Sequence, residues 1–444
     1  MTEVSIARAC AFDVVREVFE QDAYADVAFR RAAERRVLER RDRSLAMRLA
    51  YGAIQRKATL DHLIERLTDR PVARLDGAVL AALRIGLYQL LYLEGVPDHA
   101  AVDESVELAK SGSNGGHTLV NAALRRAARD GRSLLEELSD DDAAQAAMLH
   151  SHPLWVAELW WRGLGPDDAR LLMARDNEPA ESAVRANTLR TDAAELAAAL
   201  EREGARPRGD PVVPEAVVLD APYDLHGSPL FESGALMPQS RASMLVAHAV
   251  DPEPGETVLD LCAAPGAKTT HLAALMGDEG RVAALDLDPR RARAIEHNCR
   301  RLGVGCVEVR QGDAAEARFP GEFDRVLVDP PCSDLGTLQS RPDARWRKQP
   351  SQVAELTRLQ ARILDAAAAS VRAGGRLVYS TCTIDEAENE RQIDAFLERH
   401  PNFAVIDLSP LYPEAARGQL GFIQTLPHRH DTDGFFIAAL GKDS

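Results

Sequence analysis

Cysteine is scarce in this 444-residue chain: Cys10, Cys262, Cys299, Cys306, Cys332 and Cys382 are all there is. Six thiols are too few for a disulfide framework. None forms a CxxC pair, so a structural zinc site is not expected, and no metal is assigned. Lysine is scarcer still, five residues against 48 arginines. No apolar run reaches the ~18 to 20 residues that a membrane span needs. The first twenty residues carry acids throughout and lack a continuous apolar core, so no signal peptide is expected. These absences describe a cytoplasmic protein with free thiols and no membrane partner. Positive charge is also in deficit, with 53 basic against 69 acidic side chains and a net charge of −16. Phosphates reward Lys and Arg, so the total argues at first against a nucleic-acid partner. What is present is ordinary: 45% apolar and 27% charged residues. That composition excludes a collagen, a mucin or a disordered chain, and the length implies two or three domains.

Residues 1 to about 138 read as an all-α bundle. Ile6, Cys10, Val14 and Val18 recur every four residues, and Leu80, Leu83, Leu87, Leu90 and Leu91 at steps of one helix face. Residues 30–57 hold ten basic side chains against Glu34, Glu39 and Asp42. Arg31, Arg35, Arg36, Arg40 and Arg43 in this strip are candidates for phosphate contact; the alternative is a solvated helix face. The run Ser139-Asp140-Asp141-Asp142 marks a boundary or a helix start. Residues 139–238 read as a small α+β module, with Val184–Leu189 and Ala216–Leu219 as strands. From 239 to 444 strands alternate with helices: 257–262, 281–286, 306–310, 323–329 and 376–381, then a final apolar strand near 435–440. Alternation of this kind predicts a doubly wound parallel sheet.

The first strand-loop-helix unit of that sheet contains Cys262-Ala263-Ala264-Pro265-Gly266-Ala267-Lys268. A tight loop of small residues before a helix holds an anion on backbone N–H groups. It is not a P-loop, because the spacing before Lys268 is wrong, and it has one Gly where a dinucleotide loop has three. A smaller ligand with one carboxylate and an adenosine fits: S-adenosylmethionine. Asp286, at the end of the second strand, is placed to accept the ribose hydroxyls, and Asp313, after the third, the adenine amino group. Strand-end acids also cap helices, so each alone is weak.

The fourth strand ends in Asp329-Pro330-Pro331-Cys332-Ser333 and the fifth in Ser380-Thr381-Cys382-Thr383. Strand carboxyl ends line the ligand crevice of an open α/β sheet, so both thiols should face one pocket. Amino-group methyltransferases need no thiol; they use Asp/Asn-Pro-Pro with an aromatic fourth residue, where this chain has Cys332. Carbon 5 of cytosine is not nucleophilic until a thiolate adds at carbon 6. That chemistry needs a cysteine, an acid at the ring and a means of activating the thiol, for which Lys268 is a candidate. Chemistry alone leaves open which cysteine attacks. Arg341, Arg345, Arg347 and Lys348, between the two strands, are candidates for backbone phosphates.

These residues resemble the RNA 5-methylcytosine methyltransferases of the Sun/NOL family. The likeness lies in residues 262–268, Asp329-Pro330-Pro331-Cys332-Ser333, Arg341-Pro342-Asp343 with Trp346, Ser380-Thr381-Cys382 and Asn389-Glu390. The first third is similar to the NusB RNA-binding domain, through Asp42-Arg43, Leu49-Ala50-Tyr51-Gly52, residues 83–90, residues 101–106 after Pro97, and residues 120–125. The resemblance implies an α/β fold class: an all-α NusB-like domain, the α+β module and a Rossmann-like S-adenosylmethionine-dependent methyltransferase domain. It implies Cys382 as nucleophile, Cys332 assisting product release, Asp329 serving base and cofactor, and the cofactor on residues 262–268, Asp286, Asp313 and Asp329. It further implies ribosomal RNA as partner, 16S rRNA in particular, naked or in an early assembly intermediate, bound by a monomer. Another RNA as substrate, or a non-catalytic NusB-type factor, remains an alternative. Three departures stand out. Ala267 replaces the usual second Gly, which is tolerable only at negative φ. Gln239-Ser240-Arg241-Ala242-Ser243 lacks an acid usual there. Asp334-Leu335-Gly336-Thr337 stands where Gly-Thr-Gly is common.

Overall fold

A computed structural model describes residues 4–113, 115–221, 223–225, 227–417 and 421–444, with the Arg40 side chain also outside the described part. It divides into two compact units, 1–179 with 338–347, and 180–337 with 348–444. Among the described residues no helix is long and apolar enough to cross a membrane.

The first unit is helical. Its bundle runs through Ile6–Glu20, Ala25–Arg36, Arg40–Gln55, Lys57–Thr68, Gly77–Tyr92, Asp98–Gly112 and His117–Glu136. The leucines of Gly77–Tyr92 suggest one apolar face, yet the helix is buried almost all round. That suits its place in the middle of the bundle, where it packs against five of the other six helices. Its one buried charge, Arg84, is matched by a fork of two bonds to Asp61, at 2.7 and 2.8 Å. Three further helices, Ala143–Leu149, Leu154–Leu164 and Pro166–Arg175, belong to this unit. Asp142 starts the first of them by accepting from the Gln145 N–H, as the acidic run predicts.

Segment 338–347 belongs to this unit as well. Arg345 is fully buried in it. Its guanidinium donates to the carbonyls of Ser151 (3.0 Å) and Asp176 (2.9 Å) and to Asn177 Oδ1 (3.0 Å). Trp346 Nε1 donates to the Ile54 carbonyl at 2.7 Å. Arg347 is tied to Asp343 (2.7 Å) and Asp22 (2.8 Å).

The second unit carries two sheets. The smaller is antiparallel: β1 (Ala183–Ala186), β2 (Pro207–Gly209), β3 (Ala216–Leu219) and β4 (Leu236–Pro238), in the order β2-β3-β1-β4. The larger contains β5 (Thr257–Leu261), β6 (Arg281–Asp286), β7 (Val307–Gln311), β8 (Phe323–Val328), β9 (Val371–Thr381), β10 (Phe403–Ile406), β11 (Ala416–Arg417), β12 (Phe422–Gln424) and β13 (Phe436–Lys442). Its order is β11-β12-β13-β9-β8-β5-β6-β7, with β10 beside β13. Strands β5 to β9 are parallel, and β13 is antiparallel to β9. The central strands β5 and β6 and the end of β8 are runs rich in Val, Leu and Ala buried in the core, as covered parallel strands must be, whereas the edge strand β7 (Val-Glu-Val-Arg-Gln) is largely exposed. The strand order reverses beside β5, whose neighbours are β6 and β8. That switch point puts the ligand crevice at the carboxyl ends of β5 and β8.

Candidate active site

The loop after β5 is shaped by its backbone. Cys262 sits at φ +65° and Gly266 at φ +96°. A Cβ on Gly266 would lie 3.1 Å from Ile295, so any other residue there is strained in angle and crowded. Ala267 is outside the positive-φ set and opens the helix Ala267–Leu275, which meets the condition for a methyl there. No side chain caps this helix at Gly266, so its first-turn N–H groups are left for a ligand. From outside, Arg291 donates to the Ala264 carbonyl (3.1 Å) and Asn298 to that of Pro265 (2.9 Å).

Two acids, Asp286 and Asp260, bear on the loop, and Asp313 lies one strand further along the sheet. Asp286 is buried; its Oδ2 accepts from the Ala264 N–H and its Oδ1 from the Asp288 N–H, both at 3.1 Å. Asp313 is half-buried and accepts from the Ala315 N–H at 2.9 Å, so it caps a turn at the end of β7. Asp260, inside β5, was missed from sequence. Its Oδ2 accepts from Thr269 Oγ1 at 2.6 Å, while Oδ1 is buried without a partner. Burial pushes its carboxyl up to about 7.

The other half of the crevice is built from side chains. Asp329, past the end of β8, accepts from Lys268 Nζ (2.7 Å) and from Ser380 Oγ (2.9 Å). Burial alone would lower the Lys268 pKa, but Asp329 beside it outweighs this and holds the ammonium above its ordinary value. Cys332 Sγ and Cys382 Sγ lie 3.3 Å apart. Cys332 is buried and Cys382 half-buried, so Cys382 is the more exposed residue of the pair. In the remaining thiols burial disfavours the thiolate: it raises Cys10 and Cys299 to about 11 and Cys306 to about 12, and Cys262 is raised further.

A buried polar frame holds the two thiol loops in place. Glu388 accepts from the Ser333 N–H (3.0 Å), from Ser333 Oγ and from Gln360 Nε2 (2.9 Å). Its own carbonyl accepts from the Tyr379 hydroxyl at 2.7 Å. Asn389 Nδ2 donates to the Thr383 carbonyl (3.1 Å), and Thr381 Oγ1 donates to Asn389 Oδ1. The Gly336 N–H donates to the Cys382 carbonyl at 2.9 Å. A Cβ on Gly336 would overlap the Gly434 carbonyl at 1.9 Å, so the thiol loops close only over glycine.

The structure brings Cys332, Cys382, Asp329 and Lys268 together, and adds Asp334. Asp334 Oδ1 lies 3.2 Å from Cys382 Sγ and 3.9 Å from Cys332 Sγ. Lys348, assigned from sequence to RNA phosphates, instead donates to the Cys332 carbonyl (3.1 Å) and lies 3.4 Å from Asp334 Oδ2. Arg345 and Arg347 need the same correction. The first is buried against carbonyls, and the second is committed to Asp343 and Asp22, so neither charge is presented to a phosphate. Arg341 is exposed. In the helical unit Arg31 is exposed, Arg35 pairs with Glu17 at 2.7 Å, Arg36 with Asp13 at 2.8 Å, and Arg43 stacks on Phe29. The Arg40 side chain lies outside the described residues.

Switch-point loop, uncapped helix and flanking acids fit an adenosyl ligand bearing a carboxylate; with a cysteine pair next to an Asp–Lys couple, they define an S-adenosylmethionine-dependent methyltransferase. The family model for 16S rRNA methyltransferases RsmB/F matches residues 247–441, the NusB family model residues 5–129, and a ferredoxin-like domain of RsmF/B-like methyltransferases residues 152–226. The chain is 37% identical to a probable ribosomal RNA small subunit methyltransferase B of Synechocystis, over 98% of this chain and 99% of that one. It is 36% identical to a protein of the same description from Bacillus subtilis, over 98% of each. The crystal structure of PH0851 superposes with a TM-score of 0.85 at 28% identity, covering 99% of this chain and all of that one. A methyltransferase homologue from Pyrococcus horikoshii gives 0.60 at 29%, covering 68% and 98%. The chain belongs to the RsmB/F methyltransferase family.

Proposed function

We propose that this protein methylates carbon 5 of a cytosine in small-subunit ribosomal RNA, through a covalent adduct on Cys382. The observation that carries the reading is the pair of thiols 3.3 Å apart, on two adjacent strand ends beside Asp329. One thiol suffices for a core; two at the carboxyl edge suit addition and release. The half-exposed Cys382 adds to carbon 6 of a cytosine that has left its stack. Asp329, held by Lys268 and Ser380, takes the polar edge of the ring and stabilises the adduct. S-adenosylmethionine supplies the electrophilic methyl. Cys332, next to the adduct, assists elimination. The relatives' description as small-subunit methyltransferases supports 16S rRNA as the substrate, and the NusB match supports RNA docking by the helical unit. Arg31, exposed on the helical unit, offers a phosphate contact.

The test is a trap. With 16S rRNA and cofactor, Cys332→Ala accumulates a denaturation-resistant protein–RNA adduct, and Cys382→Ala forms none. Equal adduct in both variants reverses or abolishes these roles. Bisulfite sequencing of rRNA from cells with and without the active protein then locates the cytosine; an unchanged 16S pattern sinks the substrate.

A further inference from the structure

We propose that Asp334 is the base that takes the thiol proton of Cys382 as its sulfur attacks cytosine. The inference rests on the reading of Cys382 as the nucleophile. A free thiol has a pKa of ~8.5 and is mostly protonated at neutral pH, so its proton needs an acceptor. Lys268, the activating cation expected from sequence, is already engaged at 2.7 Å by Asp329. Asp334 Oδ1 is 3.2 Å from Cys382 Sγ, with the thiol donating. Asp334 sits at φ +61°, in the left-handed region that favours glycine. That geometry turns its carboxylate back over both sulfurs. The charged and titratable groups facing it include Cys332, Cys382 and Lys348, with the Lys268–Asp329 pair beyond.

A carboxylate beside a sulfur disfavours a free thiolate, so Asp334 does not ionise Cys382 in advance. Proton transfer and C–S bond formation happen together, which is general-base catalysis. The S–H bond breaks and its proton moves to Asp334 Oδ1. The sulfur electron pair forms the bond to carbon 6, and the C5–C6 electron pair makes carbon 5 nucleophilic. After methylation the carbon-5 proton leaves to water, the double bond re-forms, the C–S bond breaks, and sulfur recovers its proton from Asp334. Lys348 on the other oxygen balances the charge throughout.

The experiment measures single-turnover adduct formation against pH in a Cys332→Ala background, comparing the protein that keeps Asp334 with its Asp334→Asn and Asp334→Gly variants. Glycine suits a positive φ, so the second variant guards against a folding artefact. With Asp334 present, the rate is level between about pH 6 and about pH 8. Without it, the rate falls about 100-fold at neutral pH and climbs tenfold per unit toward the thiol pKa. Formate, a small carboxylate, restores part of the neutral rate in the Asp334→Gly protein. A drop of the same size at every pH, or no drop, overturns the proposal while leaving the adduct reading intact. Absence of any adduct with Asp334 present overturns both.

Discussion

The two halves of the crevice hold their ligands by different means. On the β5–β7 side the acids face main chain: Asp286 and Asp313 accept from backbone N–H groups, and the loop bends at Gly266. On the β8–β9 side, side chains hold side chains: Lys268 on Asp329, Ser380 on Asp329, Glu388 on Ser333 and Gln360. A site written in backbone tolerates exchange of its side chains, as Ala267 shows. A site written in side chains loses its function when one atom is removed.

Three substitutions sharpen that contrast. The largest effect belongs to the side-chain half. Cys382→Ala should leave methyl transfer below about 10⁻³ of the wild-type rate, as removal of a nucleophile does. S-adenosylmethionine binding by calorimetry should be unchanged. Loss of cofactor affinity would mean the halves are not separable.

Next comes Asp260. Its carboxyl is raised by burial to about 7, so the folded state holds a proton that the unfolded chain releases near pH ~4. Its contribution to stability is therefore full at low pH and is lost as pH rises between these two values. The loss is at most about 1.4 kcal/mol per pH unit. Asp260→Asn removes that slope. Denaturant unfolding of both proteins at pH 5 and pH 8 checks it; parallel pH dependences would contradict the assignment.

Gly266→Ala is the smallest. The added methyl meets Ile295 at 3.1 Å in a left-handed conformation, costing about 1–2 kcal/mol. The denaturation midpoint should fall while adduct formation at saturating cofactor persists. Loss of the adduct instead would show that loop shape also positions the base.

How much was legible beforehand follows the same division. Alternating apolar strands, the small-residue loop and the two strand-end cysteines are local patterns, and the structure places each within a few residues of its expected range, with β9 starting earlier, at Val371, and an antiparallel strand added beside it. The arginines were not legible. Arg345 carries the same charge as Arg31, but only the fold decides that one meets carbonyls and the other meets water. Lys348 and Asp334 come within reach of the thiols through a loop that doubles back under Gly336 and Gly434, a closure that residue spacing does not encode. Asp260 was passed over because a strand-interior acid has no motif; only its missing partner marks it.

Segment 338–347 has a consequence for how the molecule comes into being. It is encoded after β8, yet it supplies Arg345 and Trp346 to the helical unit. During synthesis the helices therefore emerge long before the piece that satisfies the carbonyls of Ser151 and Asp176. A chain cut after residue 179 would keep the helices but leave the carbonyls of Ser151 and Asp176 without the arginine that reaches them.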